Sequence, residues 1–128
     1  MGKREWELTL LRRVAQKCKE GIALEHPGVF AGEKIETDET LAKEYIVLTL
    51  MKGGDVKGYE FIETGSTFLT EAKAERYMNI LKRGYYLGIV VPGHARDRAL
   101  VLRSRFRVKA LTNPAFFVYD EYGDISRL

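Results

Sequence analysis

The sequence predicts an α/β fold: a single-domain three-layer sandwich over residues 1–128, with a mixed sheet, an antiparallel hairpin and flanking helices. Three observations lead there. Apolar residues recur at helical spacing in well-separated segments. Two β-rich runs are joined by a glycine-rich turn. A further run, YYLGIVVP (85–92), is apolar almost throughout, as expected of a strand covered on both faces.

Residues 3–20 read as a helix, with Trp6, Leu10, Val14 and Cys18 forming one stripe beside Leu11 and Ala15. Gly21 is placed to stop it. In EHPGVFAGEK, His26 stands before a proline and is held extended. KIETDET reads as a short strand. EYIVLTLM (44–51) and YEFIET (59–64) read as the two arms of a hairpin turned by KGGDVKG. Thr70 is placed to cap the next helix, with Glu71 at its positive end. Ala74, Tyr77, Met78 and Leu81 are its stripe, and Lys82, Arg83 and Gly84 close it.

RALVLRSRFRVKALT (98–112) fits two periods. Ala95, Ala99, Leu102 and Phe106 make a helical stripe. Leu102, Ser104, Phe106, Val108 and Ala110 alternate with Arg103, Arg105, Arg107 and Lys109 as a strand would. Ala, Leu and Arg dominate up to Ser104, and these are good helix formers. The reading is a helix over 95–105 and a strand over 107–112. Asn113-Pro114 marks a turn, AFFVYD a strand, and EYGD a turn before a last short segment.

Apolar residues make up 45% and charged residues 30% of the 128, which describes a globular chain with a core of its own. No run approaches a membrane span of about 18 apolar residues. MGKREWELTLLRR lacks the apolar stretch of a signal peptide, so the expected location is cytoplasmic. The single cysteine, Cys18, excludes an internal disulfide and a cysteine-based zinc site. Gln16, Asn79 and Asn113 are the only side-chain amides beside many Lys, Arg and Glu, a habit of thermophilic proteins.

Net charge is +3 and unevenly placed. Residues 1–70 hold 10 basic and 12 acidic side chains, and residues 71–128 hold 11 and 6. Acids gathered apart from bases suit an enzyme of nucleic acids: carboxylates for metal, cations for phosphate.

The element order, with YEFIETGSTFLTEAKAERYMNILKRGYYLGIVVPGHARDRALVLRSRF at its centre, resembles the restriction-endonuclease-like fold of the PD-(D/E)XK nucleases. The resemblance covers about residues 44–111. It implies an acid opening one strand, with a second acid and a lysine, one residue apart, on the next. The carboxylates would bind a divalent metal, Mg²⁺ in an active member, that stabilises phosphate charge and activates water. Carried onto this chain, Glu44 takes the first acid's place and Glu63 the second, as catalytic residues and metal ligands. The lysine then falls at Gly65. If Glu63 instead takes the lysine's place, the second acid falls at Phe61. Either register leaves the motif incomplete, with Lys57 and Lys73 as lysines to fill the gap. Glu60 has the opposite strand parity from Glu63.

Arg96, Arg98, Arg103, Arg105, Arg107 and Lys109 are the expected nucleic-acid contacts, Arg103 and Arg105 first among them. On a helix they flank the apolar stripe, where their stems also cover its edges. The functional expectation is a DNA-interacting protein with a degenerate catalytic motif, from a genome-maintenance system or a mobile element. The expected partners are DNA and a second copy of the chain, with no membrane. The alternative is a protein-interaction module built on the aromatics Tyr85, Tyr86, Phe116, Phe117, Tyr119 and Tyr122.

Overall fold

The computed structural model describes residues 2–109 and 113–128. Among these, three helices flank a six-stranded mixed sheet, so the predicted α/β class is observed. No helix among the described residues is long and apolar enough to cross a membrane.

Helix α1 spans Lys3–Glu25. It runs through Gly21, against expectation, because Ile22 one residue later is buried with Leu11, Val14, Ala15 and Cys18. The helix ends where His26 meets Pro27, the His26 N–H donating to the Ile22 carbonyl at 2.8 Å. Trp6, placed on the stripe by its spacing, is half exposed.

Strands β1 (Phe30–Asp38), β2 (Lys43–Lys52) and β3 (Asp55–Ile62) form an antiparallel meander. Gly53 and Gly54, both at positive φ (59° and 85°), make the two-residue turn that joins β2 to β3. Helix α2 (Glu71–Lys82) begins as its sequence predicts: the Thr70 hydroxyl oxygen accepts from the Lys73 N–H at 3.1 Å. Strand β4 (Tyr86–Pro92) then pairs parallel to β3.

A 3-10 turn, Gly93–Ala95, leads into α3, Arg96–Lys109. The strand expected over 107–112 is overturned at residues 107–109, which continue the helix. The helical stripe decides it: Ala95, Ala99, Leu102 and Phe106 are all buried, so Phe106 anchors the last turns. Residues 110–112 lie outside the described residues. Strand β5 (Ala115–Tyr119) pairs parallel to β4, and β6 (Ile125–Arg127) antiparallel to β5.

The sheet order is therefore β1-β2-β3-β4-β5-β6. Alternation along the strands splits the core in two. Tyr45, Val47, Phe61 and Ile89 pack with α2 and α3. Ile46, Leu48, Ile62 and Val90 pack with α1. Three layers result, as predicted, with α1 on one face and α2 and α3 on the other.

Candidate functional site

The carboxyl ends of the parallel strands β3, β4 and β5 open on a crevice of about 510 Å³, the expected place for a ligand in such a sheet. Trp6 and Glu7 of α1, Thr64, Gly65, His94 and Tyr122 line it. A Cβ on Gly65 would lie 2.7 Å from His94 Nε2, so the missing side chain is what seats the imidazole. A smaller recess of about 210 Å³ adjoins, lined by Glu7, Lys43, Glu44 and Thr64. Glu7 and Lys43 stand 3.6 Å apart.

Glu44 therefore lies on the α1 face, sharing parity with Ile46 and lining a recess with Leu8 and Leu11. Glu63 does not join it. Just past β3, its side chain turns to the other face and is wholly buried. Lys73 Nζ donates to both carboxylate oxygens, at 2.7 and 2.8 Å. The same ammonium sits 3.2 Å from the centroid of the Tyr45 ring. The Glu63 backbone is held as well: its N–H donates to the Val90 carbonyl at 2.8 Å, and its carbonyl accepts from Tyr119 Oη at 2.7 Å. Burial pushes the Glu63 carboxyl above its ordinary range and the Lys73 ammonium below its own, each opposed by the other's charge. Tyr77 Oη is buried beside them with no hydrogen bond of normal geometry, and burial raises its pKa well above 10. Next to this pair Arg76 grips Glu36 with two nitrogens, at 2.7 and 3.0 Å, and holds that carboxyl below its ordinary range.

The pairing of Glu44 with Glu63 as metal ligands thus meets a geometric obstacle: they stand on opposite faces, and a lysine occupies Glu63. As placed, they offer Mg²⁺ no shared pair of oxygens. Among the described residues no group of three or more His, Cys, Asp or Glu is arranged to hold a metal. At the end of the α1 face that bears Glu7 and Glu44, the β3 side supplies Ile62 and Thr64, neither of them a carboxylate. Lys73 does reach Glu63, as one of the two candidate lysines, but in the core. Lys57 lies at the other end of β3, near Glu60. Glu60 pairs across from Leu48, four residues along β2 from Glu44. At 3.3 Å per residue that is roughly 13 Å.

The basic residues separate into two roles. Arg96, Arg98, Arg105 and Arg107 are exposed on α3 and make no ion pair among the described residues. Arg103 is partly buried and donates to the Leu128 carbonyl at 3.0 Å, tying the end of the chain to α3. Lys109 lies in the last turn of α3, and its side chain is outside the described residues. Of the six aromatics weighed as an interaction surface, Phe116 and Tyr119 are core residues, Tyr85 and Phe117 pack against the core, and Tyr86 and Tyr122 are exposed.

Sequence reasoning did not select Glu7, His94 or the Cys18–Glu60–Tyr86 group as site residues. A signal was present for His94, which follows the Pro92-Gly93 break at the end of a buried strand. No family model, no curated protein and no solved structure matches the chain.

Proposed function

We propose that the protein binds DNA through α3 and carries a nuclease-like fold whose catalytic motif is degenerate. One observation carries the reading. Four exposed arginines on one helix have no ion-pair partner among the described residues, and Asp97 is the helix's only acid. Unpaired guanidinium groups in two flanking rows suit phosphate, which they bind by charge and forked hydrogen bonds. The element order supports the nuclease-like part: helix, three antiparallel strands, helix, parallel strand, then the basic helix. Gly65 and Phe61 at the motif positions, and Lys73 holding Glu63 in the core, support the degenerate part.

The test is fluorescence anisotropy with a short labelled duplex at about 50 mM salt, where electrostatic binding is strong. Arg98→Ala with Arg105→Ala should weaken binding about tenfold and flatten its salt dependence by about two phosphate contacts. Arg103→Ala should leave affinity nearly unchanged, since its guanidinium is engaged by Leu128. Mg²⁺ should release no cleavage of the duplex. The absence of any duplex binding at this salt would overturn the proposal. The amide-poor composition extends it to a thermophilic source, against which a melting midpoint of about 45–65 °C would count.

A further inference from the structure

Beneath the C-terminal half of α1 the helix and sheet do not close, leaving a cavity of about 690 Å³. Small residues open it. Cys18 and Gly21 face it from α1, and a Cβ on Gly21 would meet nothing within 4 Å. On the sheet, Gly88 of β4 lies beside Glu60. A Cβ there would come within 2.9 Å of the Glu60 side chain and of Tyr86 Oη. The glycine is what lets the carboxyl and the phenol lie together over the sheet.

Glu60 is the unusual group. It is only 6% exposed, it stands in a central strand, and no cation pairs with it among the described residues. Tyr86 Oη donates to its Oε2 at 3.1 Å, and the Cys18 thiol lies against it. Burial raises its pKa. A buried acid without a cation favours its neutral form, which sets an O–H donor beside a C=O acceptor. Around it the walls are apolar: Ile22, Val29, Leu50, Phe117 and Ile125. The charged lining is Lys57 and Arg127, Lys17, which is paired with Asp124, and one acid besides Glu60, Glu25; the Arg127 guanidinium lies 5.5 Å from the Phe117 ring centroid.

We propose that this cavity takes one nucleotide, with the base inward against Glu60 and Phe117 and the phosphate outward at Lys57 and Arg127. The volume falls within the usual range for a small-molecule site, and a few polar groups converge in an apolar lining. A nucleobase is flat, stacks on aromatic rings, and presents adjacent donors and acceptors along one edge. An acyl chain would offer Glu60 and Tyr86 no polar group beyond the hydrogen bond they already share. The nucleotide comes either free or as an unstacked residue of a single strand. The cavity lies on the opposite face of the sheet from α3, so it does not depend on duplex binding there.

Titration calorimetry on the full chain tests the proposal, with AMP, GMP, CMP and UMP in turn, then adenosine and inorganic phosphate. At least one monophosphate should bind with Kd below about 1 mM, and inorganic phosphate at least about tenfold more weakly. Gly21→Leu, which fills open space, should weaken the nucleotide at least about tenfold while the variant still melts cooperatively. Arg127→Ala should weaken AMP more than adenosine. Should Gly21→Leu not fold, Glu60→Met, which removes the donor and acceptor at similar volume, must weaken binding. A tetranucleotide binding more tightly than the monophosphate supports the proposal with a strand as source. One binding less tightly supports it with the free nucleotide as source. The proposal is overturned if none of the four monophosphates binds at millimolar concentration, if phosphate binds as tightly as nucleotide, or if the folded Gly21→Leu or Glu60→Met variant binds as the parent does. Arg98→Ala with Arg105→Ala, which tests α3, should leave nucleotide binding unchanged.

Discussion

Glu60 and Glu63 stand three residues apart, both buried, on opposite faces of the sheet. Glu63 meets Lys73 in a two-point ion pair roofed by Tyr45, and its own backbone is bonded on both sides. Glu60 meets a phenol, a thiol and a cavity. The first has every strong partner a buried carboxylate needs and belongs to the scaffold. The second lacks a cation among the described residues and faces open volume, which suits the recognition role proposed for it. Burial alone does not separate structural from functional carboxyls. The identity of the partner does.

The largest expected effect comes from breaking the paired site. Lys73→Met strands Glu63 in the core and should cost about 3–5 kcal/mol by urea unfolding at neutral pH. Adding Glu63→Gln should restore most of that loss. A cost under about 1 kcal/mol would mean that the pair is not the scaffold element described here.

Next is Gly88→Ala on the cavity side, whose new Cβ crowds Glu60 and Tyr86. A loss of about 1–3 kcal/mol is expected, as for overpacking elsewhere. Combining it with Glu60→Ala should recover part of the loss. Independent, additive effects would show that the two groups do not touch.

Third is the pH dependence of Glu60. Its folded pKa lies above the ordinary 4.5, so folding favours the protonated form. Its contribution is fully present below about 4.5 and is lost as pH rises toward the folded pKa. Glu60→Gln removes this loss. The variant's stability should therefore gain on the parent's between pH 5 and pH 8, by on the order of 1 kcal/mol, read from melts across that range. A constant difference would place Glu60 in water.

The smallest effect is at Glu36–Arg76, a partly exposed pair beside the Lys73 site. Arg76→Ala should cost about 0.5–1 kcal/mol at pH 7, limited by solvent screening. Because Arg76 lowers the Glu36 pKa, this contribution is present above the ordinary carboxylate range and is lost as pH falls through the folded value. The difference between parent and variant should thus fade in acid.

Local signals in the sequence were enough for the hairpin at Gly53-Gly54, the Thr70 cap of α2 and the covered strand before Pro92, because each acts within a few residues. The resemblance was enough to single out Glu63 as a candidate acid and Lys73 as a candidate lysine. Two boundaries were not legible. Gly21 did not end α1, since Ile22 packs below it, and the alternating RFRVK did not become a strand, since Phe106 is buried on the helix. Nor did spacing reveal that Arg103 is taken up by Leu128, which is 25 residues away.

What the sequence determined by itself is the α/β class, the order of its main elements and the basic character of residues 96–109. Only the tertiary structure decided that Glu44 and Glu63 lie on different faces, that Lys73 is placed against Glu63, and that Glu60 looks into a cavity. The reason is reach. Caps, turns and periodicity are set by near neighbours along the chain. The setting of a buried carboxyl is set by whatever the opposing elements bring to it: here a lysine from α2 on one face, and Cys18, Gly21 and Gly88 from α1 and β4 on the other.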